Sequence, residues 1–404
     1  MVTPLDVEGF DLRALPASFY ENPYPTYRKL QSEHPVFSLP GGGYFVSSYD
    51  LARQIYRDTS NFSSDKRLQF AGVYGEDSPL FEHHTTALVF RDPPLHTQVR
   101  RAIGNALSQR MVDVMRTSLQ TIVDGLVDRL AQKGQADLIA EYAGAIPVEI
   151  IGNLLGVPEE EREPLRAWSL AILKPLEVDV SPEEIQAGEA AVTDFIEYLK
   201  HLIERRQRTL DETDDILARL LKWEHEGQRL TPSELYHQCI FLLNAGHETT
   251  TNLIGNGIEL FTRSPNALSK LLAKPSLINP AVEEILRYES SNQLGNRTTT
   301  SKVSLGGIDI EKDIVVTIGI GAANRDPSVF SNPDDFEITR DPNPHLAFGG
   351  GIHTCAGLNV ARLEGQIALL KLFQRFPNLE LLETPQRDRR ARFRGFTSLC
   401  AKVH

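Results

Sequence analysis

The chain has 404 residues, 41% of them hydrophobic, and a formal net charge of −12. That length and apolar content suffice for a large buried core, while the acidic balance argues against general binding to nucleic acid or to anionic membranes. Three cysteines, Cys239, Cys355 and Cys400, follow no framework spacing, which argues against a disulfide scaffold and for a reducing, cytoplasmic setting.

The segment Met1–Glu8 has neither the basic nor the apolar region of a signal peptide, and no run approaches the ~18 apolar residues of a membrane span. The first predicted helix runs from Tyr24 to Glu33, followed by short strands at Val36-Phe37 and Tyr44-Phe45-Val46. Residues 60 to 90 contain Gly72, Gly75 and Pro79 without a sustained period and are expected to be irregular. From Leu95 to about Lys133 the pattern turns helical, and helices dominate to about Glu289. Ser181-Pro182-Glu183-Glu184 and Thr231-Pro232-Ser233-Glu234 are capping boxes with proline at the first helical position. Asn279-Pro280 begins another helix, carrying Glu283, Glu284 and Arg287. Val303-Ser304-Leu305 and Ile308-Asp309-Ile310 then flank Gly306-Gly307, a hairpin signal, and Ile314–Ile318 adds a strand. No linker or repeat divides the chain. The expectation is a mainly α protein with small β-sheets, one domain over residues 1–404.

Near the C-terminal end, Phe348-Gly349-Gly350-Gly351-Ile352-His353-Thr354-Cys355-Ala356-Gly357 places one cysteine at the exit of a glycine-rich loop, just before a helical pattern. A sulfur there meets the positive end of a helix, which favours thiolate. His345, His353 and Cys355 match no structural zinc spacing, and the loop lacks the Gly-Lys-Ser/Thr of a phosphate cradle. Two readings stay open on chemistry alone: a small buried hydrophobe, or an axial thiolate to haem iron.

A second signal is Ala245-Gly246-His247-Glu248-Thr249-Thr250, polar residues interrupting an apolar helix, which cost energy unless paired. His247-Glu248 lacks the second histidine of a zinc protease helix, since position 251 is Thr251. Glu284 and Arg287, at i and i+3, can pair on one helix face, and His96 and Arg100 share a face at i and i+4.

The loop pattern Phe-Gly-x-Gly-x-His-x-Cys-x-Gly resembles the haem signature of the cytochrome P-450 superfamily, and the whole chain is similar to its soluble bacterial type. The resemblance implies a triangular helical prism around a buried haem b (iron protoporphyrin IX), with Cys355 as the iron ligand. Phe348, Gly349, Gly357, Ala245 and Thr249 would line the haem, and His96, Arg100, Arg297 and His353 would hold its propionates. Glu248 and Thr249 match the acid–alcohol pair that delivers protons on the oxygen side, with Gly246 leaving room in the helix groove and His247 a bystander. Glu284 and Arg287 would join Arg340 as a structural ion pair supporting the cysteine loop. Val89, Phe90, Leu242, Ala245, Asn292, Leu294 and Phe396 would face the substrate. Asn292 follows Ser291 where family members usually have Pro-Val, and two readings stay open: an amide where an aliphatic wall is usual, or a side chain that only satisfies local backbone in the absence of proline.

The implied function is a haem-thiolate monooxygenase inserting one oxygen atom from dioxygen into a C–H bond of a mainly apolar substrate, by hydroxylation or oxidative dealkylation. No fused reductase is expected, so electrons would come from a ferredoxin and its NAD(P)H-dependent reductase, docking on a local basic patch drawn from Arg100, Arg101, Arg110 and Arg362. A cytoplasmic monomer is expected, without membrane or nucleic-acid partners. The rivals are a peroxide-driven peroxygenase, against which Glu248-Thr249 argues, and a non-catalytic haem-binding ligand sensor.

Overall fold

The computed structural model describes residues 7–107, 109–211, 215–223, 227 and 229–403. The reading of a leader-free N-terminus rests largely on residues 1–6, outside the described residues. The chain is mainly helical with small sheets and divides into two compact units. One comprises Met1–Ser63, Gln120–Ala143 and Thr249–His404; the other comprises Ser64–Leu119 and Gly144–Glu248.

Every strand among the described residues lies in the first unit, here the mixed unit. Its main sheet has five strands in the order Val36–Ser38, Tyr44–Val46, Val315–Gly319, Leu294–Thr299 and Phe62–Ser63. Tyr44–Val46 runs parallel to Val315–Gly319, and the other pairings are antiparallel. Gly306 and Gly307 take φ of 58° and 81° between two paired strands, the left-handed turn that the Gly-Gly dipeptide favours. The sheet packs on the helix Tyr49–Arg57, whose buried Tyr49, Ala52, Ile55 and Tyr56 recur at helical spacing. The helices Ile278–Tyr288 and Leu358–Arg375 complete this unit's core.

The second unit is helical throughout its described residues. Its longest complete helix, Pro182–Arg208, starts at the Ser181 capping box and buries Gly188, Ala191, Val192, Phe195, Leu199, Leu202 and Ile203 on one face. Trp168 stacks on Phe195 at 5.0 Å, and Gly188 lets the helix approach Leu165–Leu173, since an added Cβ would stand 3.0 Å from Ala171 O. The helix Pro232–Arg263 also starts at a capping box, with Glu234 N donating to Thr231 Oγ1 at 3.2 Å and Thr231 N to Glu234 Oε2 at 3.0 Å.

Residues 60 to 90 are more regular than their composition predicts, with helices at Arg67–Tyr74 and Pro79–Thr86. The second is capped by Ser78 Oγ accepting from Leu80 N at 3.1 Å and has proline at N1. Gln238 fixes the turn after this helix, donating to Thr86 O at 2.9 Å and accepting from Leu88 N at 3.2 Å. Such tertiary partners supply the order that local periodicity lacks.

Candidate active site

The loop before Leu358–Arg375 is built from the mixed unit's backbone. Cys355 N donates to Phe348 O at 2.9 Å, closing the loop, while Gly349 and Gly351 turn it at φ of 67° and 65°. Gly351 needs its bare Cα twice over, because an added Cβ would also stand 2.0 Å from Tyr56 O. Gly357 stands at the start of the helix and no side chain caps it, so its first N–H groups and positive end lie beside the half-buried Cys355. In front of Gly357 an added Cβ would meet nothing within 4 Å.

The seat of this loop is the helix Tyr49–Arg57, which the sequence reading did not single out. Tyr56 packs against Gly350, and Arg297 lies over the same ring at 5.3 Å to its centroid. Arg297 sits on the strand Leu294–Thr299 opposite Val316, with Nη1 donating to Asn296 O at 2.8 Å. A cleft of about 450 Å³ opens beside the loop, lined by Tyr49, Arg53, Tyr56, Arg57, Gly350 and Gly351 among others. His353 is half-buried in the turn Gly351–His353.

Glu284 and Arg287 are completely buried and share two hydrogen bonds of 2.8 Å. Glu284 also accepts from Arg340 Nε at 3.1 Å and from Glu337 N at 2.9 Å. Arg287 spends its remaining donors on the carbonyls of Asn324, Pro333 and Asp335. Next to this group, burial alone would raise Glu283, but hydrogen bonds from His345 and Arg362 bring it down to about 2. Arg362 donates twice to Glu283 at 2.7 Å, so its charge is already matched within its own unit.

Along the helix Pro232–Arg263 most positions around the acid–alcohol motif are buried, yet Leu242 and Thr249 are half-exposed and Ala245 exposed, a stripe at i, i+3 and i+7. Gly246 does not face open space: an added Cβ would stand 2.5 Å from Ile151 Cδ1, so the glycine serves helix packing. His247 lies 3.2 Å by Nδ1 from Ser169 Oγ, and burial, only partly opposed by Glu248, lowers it to about 4. Glu248 is buried at 3% exposure.

Glu364 is a further residue that the sequence reading missed. It is fully buried on Leu358–Arg375 and bonded to Thr250; burial raises it to about 8, keeping it protonated at neutral pH. The signal available in sequence was one carboxyl among the buried positions of an apolar helix face.

The other expected positions divide between the units. In the helical unit His96 is buried, Arg100 and Phe90 are half-buried and Val89 is exposed. In the mixed unit Leu294 and Phe396 are packed inside, with Arg387 3.9 Å above the Phe396 ring. Asn292 is half-buried, bridges Phe393 and leaves Oδ1 buried without a hydrogen-bond partner.

Among the described residues no group of three or more histidine, cysteine or acidic side chains could hold a metal ion by itself. One half-buried sulfur at a helix start, a glycine turn and an open face at Gly357 fit a flat cofactor that brings its own metal and takes a single protein ligand.

The cytochrome P450 family model matches residues 15–399. The biotin biosynthesis cytochrome P450 of Bacillus subtilis (strain 168) is 35% identical over 376 residues, covering 92% of this chain and 94% of the relative. Vitamin D(3) 25-hydroxylase of Pseudonocardia autotrophica is 37% identical over 385 residues, covering 94% and 92%. Among solved structures, CalO2 superposes with a TM-score of 0.91 at 30% identity, covering 98% of both chains. P450BioI in complex with a hexadec-9Z-enoic acid ligated acyl carrier protein gives 0.89 at 34% identity, covering 96% of this chain and all of that one. The chain therefore belongs to the cytochrome P450 family, as an oxidoreductase with the P450 fold whose cofactor is haem.

Proposed function

We propose that residues 1–404 form one haem domain that inserts an oxygen atom from dioxygen into a C–H bond of a mainly apolar organic substrate. The observation that carries this reading is the loop closed between Phe348 and Cys355, which sets one thiol against an uncapped helix start. When bound, the haem would supply dioxygen activation, which a thiolate ligand from the protein would favour. Cys355 would hold it as that thiolate, stabilised by the helix end. Phe348, Gly349, Gly357, Ala245 and Thr249 would border its faces, and His96, Arg100, Arg297 and His353 would bind its propionates as charge-assisted donors.

Protons have to reach the oxygen side through the protein. Thr249 would donate from its hydroxyl, with Glu248 relaying protons towards it. Glu364 would add a second proton store, since it keeps its proton at neutral pH and bonds Thr250, the next residue along. Asn292, with its free Oδ1, is proposed as one polar anchor in the substrate wall that Val89, Phe90, Leu242, Leu294 and Phe396 complete. The Glu284–Arg287–Arg340 cluster would hold the meander after Asn324 and so brace the loop.

Electrons would come from a ferredoxin and its NAD(P)H-dependent reductase in the cytoplasm. Arg101 and Arg110 are exposed and suit an acidic partner, whereas Arg362 is committed to Glu283. Among the described residues no helix is long and apolar enough to cross a membrane.

The reduced protein under carbon monoxide should absorb at ~450 nm, as thiolate ligation would require. Cys355→His should move the band to the position of histidine-ligated haem; a wild type already absorbing there overturns the reading. Thr249→Ala should keep the band but divert NADPH electrons to hydrogen peroxide, read as the ratio of peroxide to product. An unchanged ratio removes Thr249 from the proton path.

A further inference from the structure

In the helical unit, three imidazoles pack against one another in the interior. His83 and His84 lie on the helix Pro79–Thr86 and His237 on the helix Pro232–Arg263, each at most 2% exposed. The His83 ring centroid stands 5.2 Å from that of His84 and 5.5 Å from that of His237. Burial lowers all three: His83 well below the usual imidazole range, His84 to about 3 against the opposing influence of the Ile172 backbone, and His237 against the pull of Glu82. At neutral pH the rings are therefore uncharged, each with one donor and one acceptor nitrogen.

Their partners assign the protons. Glu82 Oε1 lies 3.3 Å from His237 Nε2, and a carboxylate only accepts, so His237 carries its proton on Nε2 and a lone pair on Nδ1. Asn244 Nδ2 lies 3.5 Å from His83 Nε2, and an amide NH2 only donates, so His83 carries its proton on Nδ1. In His83, His237 and Asn244 three buried atoms then remain without a hydrogen-bond partner, the His83 Nδ1–H donor and the acceptors His237 Nδ1 and Asn244 Oδ1, and both ring nitrogens of the neighbouring His84 have none either. A native interior seldom keeps such a set unless something completes it. His237, Asn244 and Glu248 share one helix face at i, i+7 and i+11. Along the axis, Asn244 is about 6 Å and His237 about 16 Å from Glu248.

We propose that His83, His237 and Asn244 bind a neutral hydroxyl group of the substrate and so fix the end remote from the oxidised carbon. The inference rests on the oxygen-insertion reading above. A hydroxyl accepts from His83 Nδ1–H and donates to His237 Nδ1 or Asn244 Oδ1, which matches the set. A carboxylate brings only lone pairs to two waiting acceptors and must also shed the hydration of a full charge. An ether satisfies the donor alone, and an ammonium group, which only donates, leaves the His83 N–H donor unmatched and must shed the hydration of a full charge. The substrate class selected is an apolar alcohol.

The test uses the haem-loaded full chain and three probes of equal chain length: dodecan-1-ol, its isomer methyl undecyl ether, and dodecanoic acid. Calorimetry should give a dissociation constant for the alcohol about fivefold below that of the ether, the worth of one added hydrogen bond, with the acid weakest. In Asn244→Leu, which keeps the volume, and in His83→Phe, the alcohol–ether gap should shrink to under about twofold. Equal binding of alcohol and ether by the wild type, tightest binding of the acid, or a gap that survives both variants overturns the proposal. The wild-type ranking needs no variant to fold. A missing ~450 nm band would instead remove the oxygenase reading and leave the calorimetric ranking to be judged separately.

Discussion

In the mixed unit buried charge is cancelled where it stands. Glu284 meets Arg287 and Arg340, and Glu289 lies among Arg394 at 2.6 Å, Arg387 at 3.5 Å and Arg325 at 4.0 Å. Burial would raise Glu289, but these arginines hold it at about 2. The buried cluster of the helical unit is kept neutral instead: His83, His84 and His237 have lost their protons to burial, and Gln238 and Asn244 are uncharged amides. Paired ions fix distances because separating them is costly, which suits the surroundings of the proposed haem ligand Cys355. Neutral groups that both donate and accept can exchange partners at small cost, which suits a surface that must take and release a molecule.

The sharpest way to break this contrast is to unpair one ion. Arg287→Ala strands the fully buried Glu284 carboxylate and should cost about 3–5 kcal/mol in urea unfolding. His237→Phe removes one neutral imidazole of the helical unit and should cost no more than about 1.5 kcal/mol. Equal losses would show that the two units do not bury polarity differently.

Much of the mixed unit was legible because its signals are local. The Gly306-Gly307 turn, the strands at Tyr44–Val46 and Val315–Gly319, and the turn-then-helix geometry at Cys355 are each written in consecutive residues. Both capping boxes were equally plain. The helices Arg67–Tyr74 and Pro79–Thr86 were not, because Leu68 and Val73 are exposed apolar residues that spoil the period, and Ser78 and Gln238 supply the order. The helix start at Asn279-Pro280 shifted only slightly, to Ile278. Tyr56, Glu364 and the histidine cluster escaped notice for another reason. Their meaning lies in partners far along the chain: Gly351 for Tyr56, Thr250 for Glu364, His237 for His83. Gly246 shows the converse, since its motif implies an open groove while Ile151 fills the space.

Glu364 sharpens the comparison, because it is a buried carboxyl of the mixed unit with no cation beside it. It binds its proton more tightly in the folded protein, at about 8, than in the unfolded chain near 4.5. Its stabilising contribution is therefore complete below about pH 4.5 and is lost as pH rises through about 8. Between pH 6 and pH 8 this should remove about 2 kcal/mol of unfolding free energy, and Glu364→Gln should abolish that part of the slope. Glu283 and Glu289, lowered to about 2, act in the opposite sense: their contribution is present above about pH 4.5 and fades as pH falls towards 2. A wild type and a Glu364→Gln variant with parallel pH profiles would mean that Glu364 ionises in the fold like an exposed carboxyl.

The smallest effect tests the neutral side of the contrast. Ser169 Oγ and His247 Nδ1 form a buried hydrogen bond at 3.2 Å between the helices Leu165–Leu173 and Pro232–Arg263. Ser169→Ala leaves the imidazole uncharged but takes away this partner, so the loss should be about 1 kcal/mol at pH 7. Because burial holds the folded imidazole near 4, the unfolded chain takes up the proton first as pH falls below about 6.5. Removing Ser169 should leave this acid slope in place, since the slope comes from burial and not from the hydroxyl. If the variant instead loses as much as Arg287→Ala, or if its acid slope vanishes, His247 is held by something closer to a charged pair, and the helical unit would have to be counted with the mixed one.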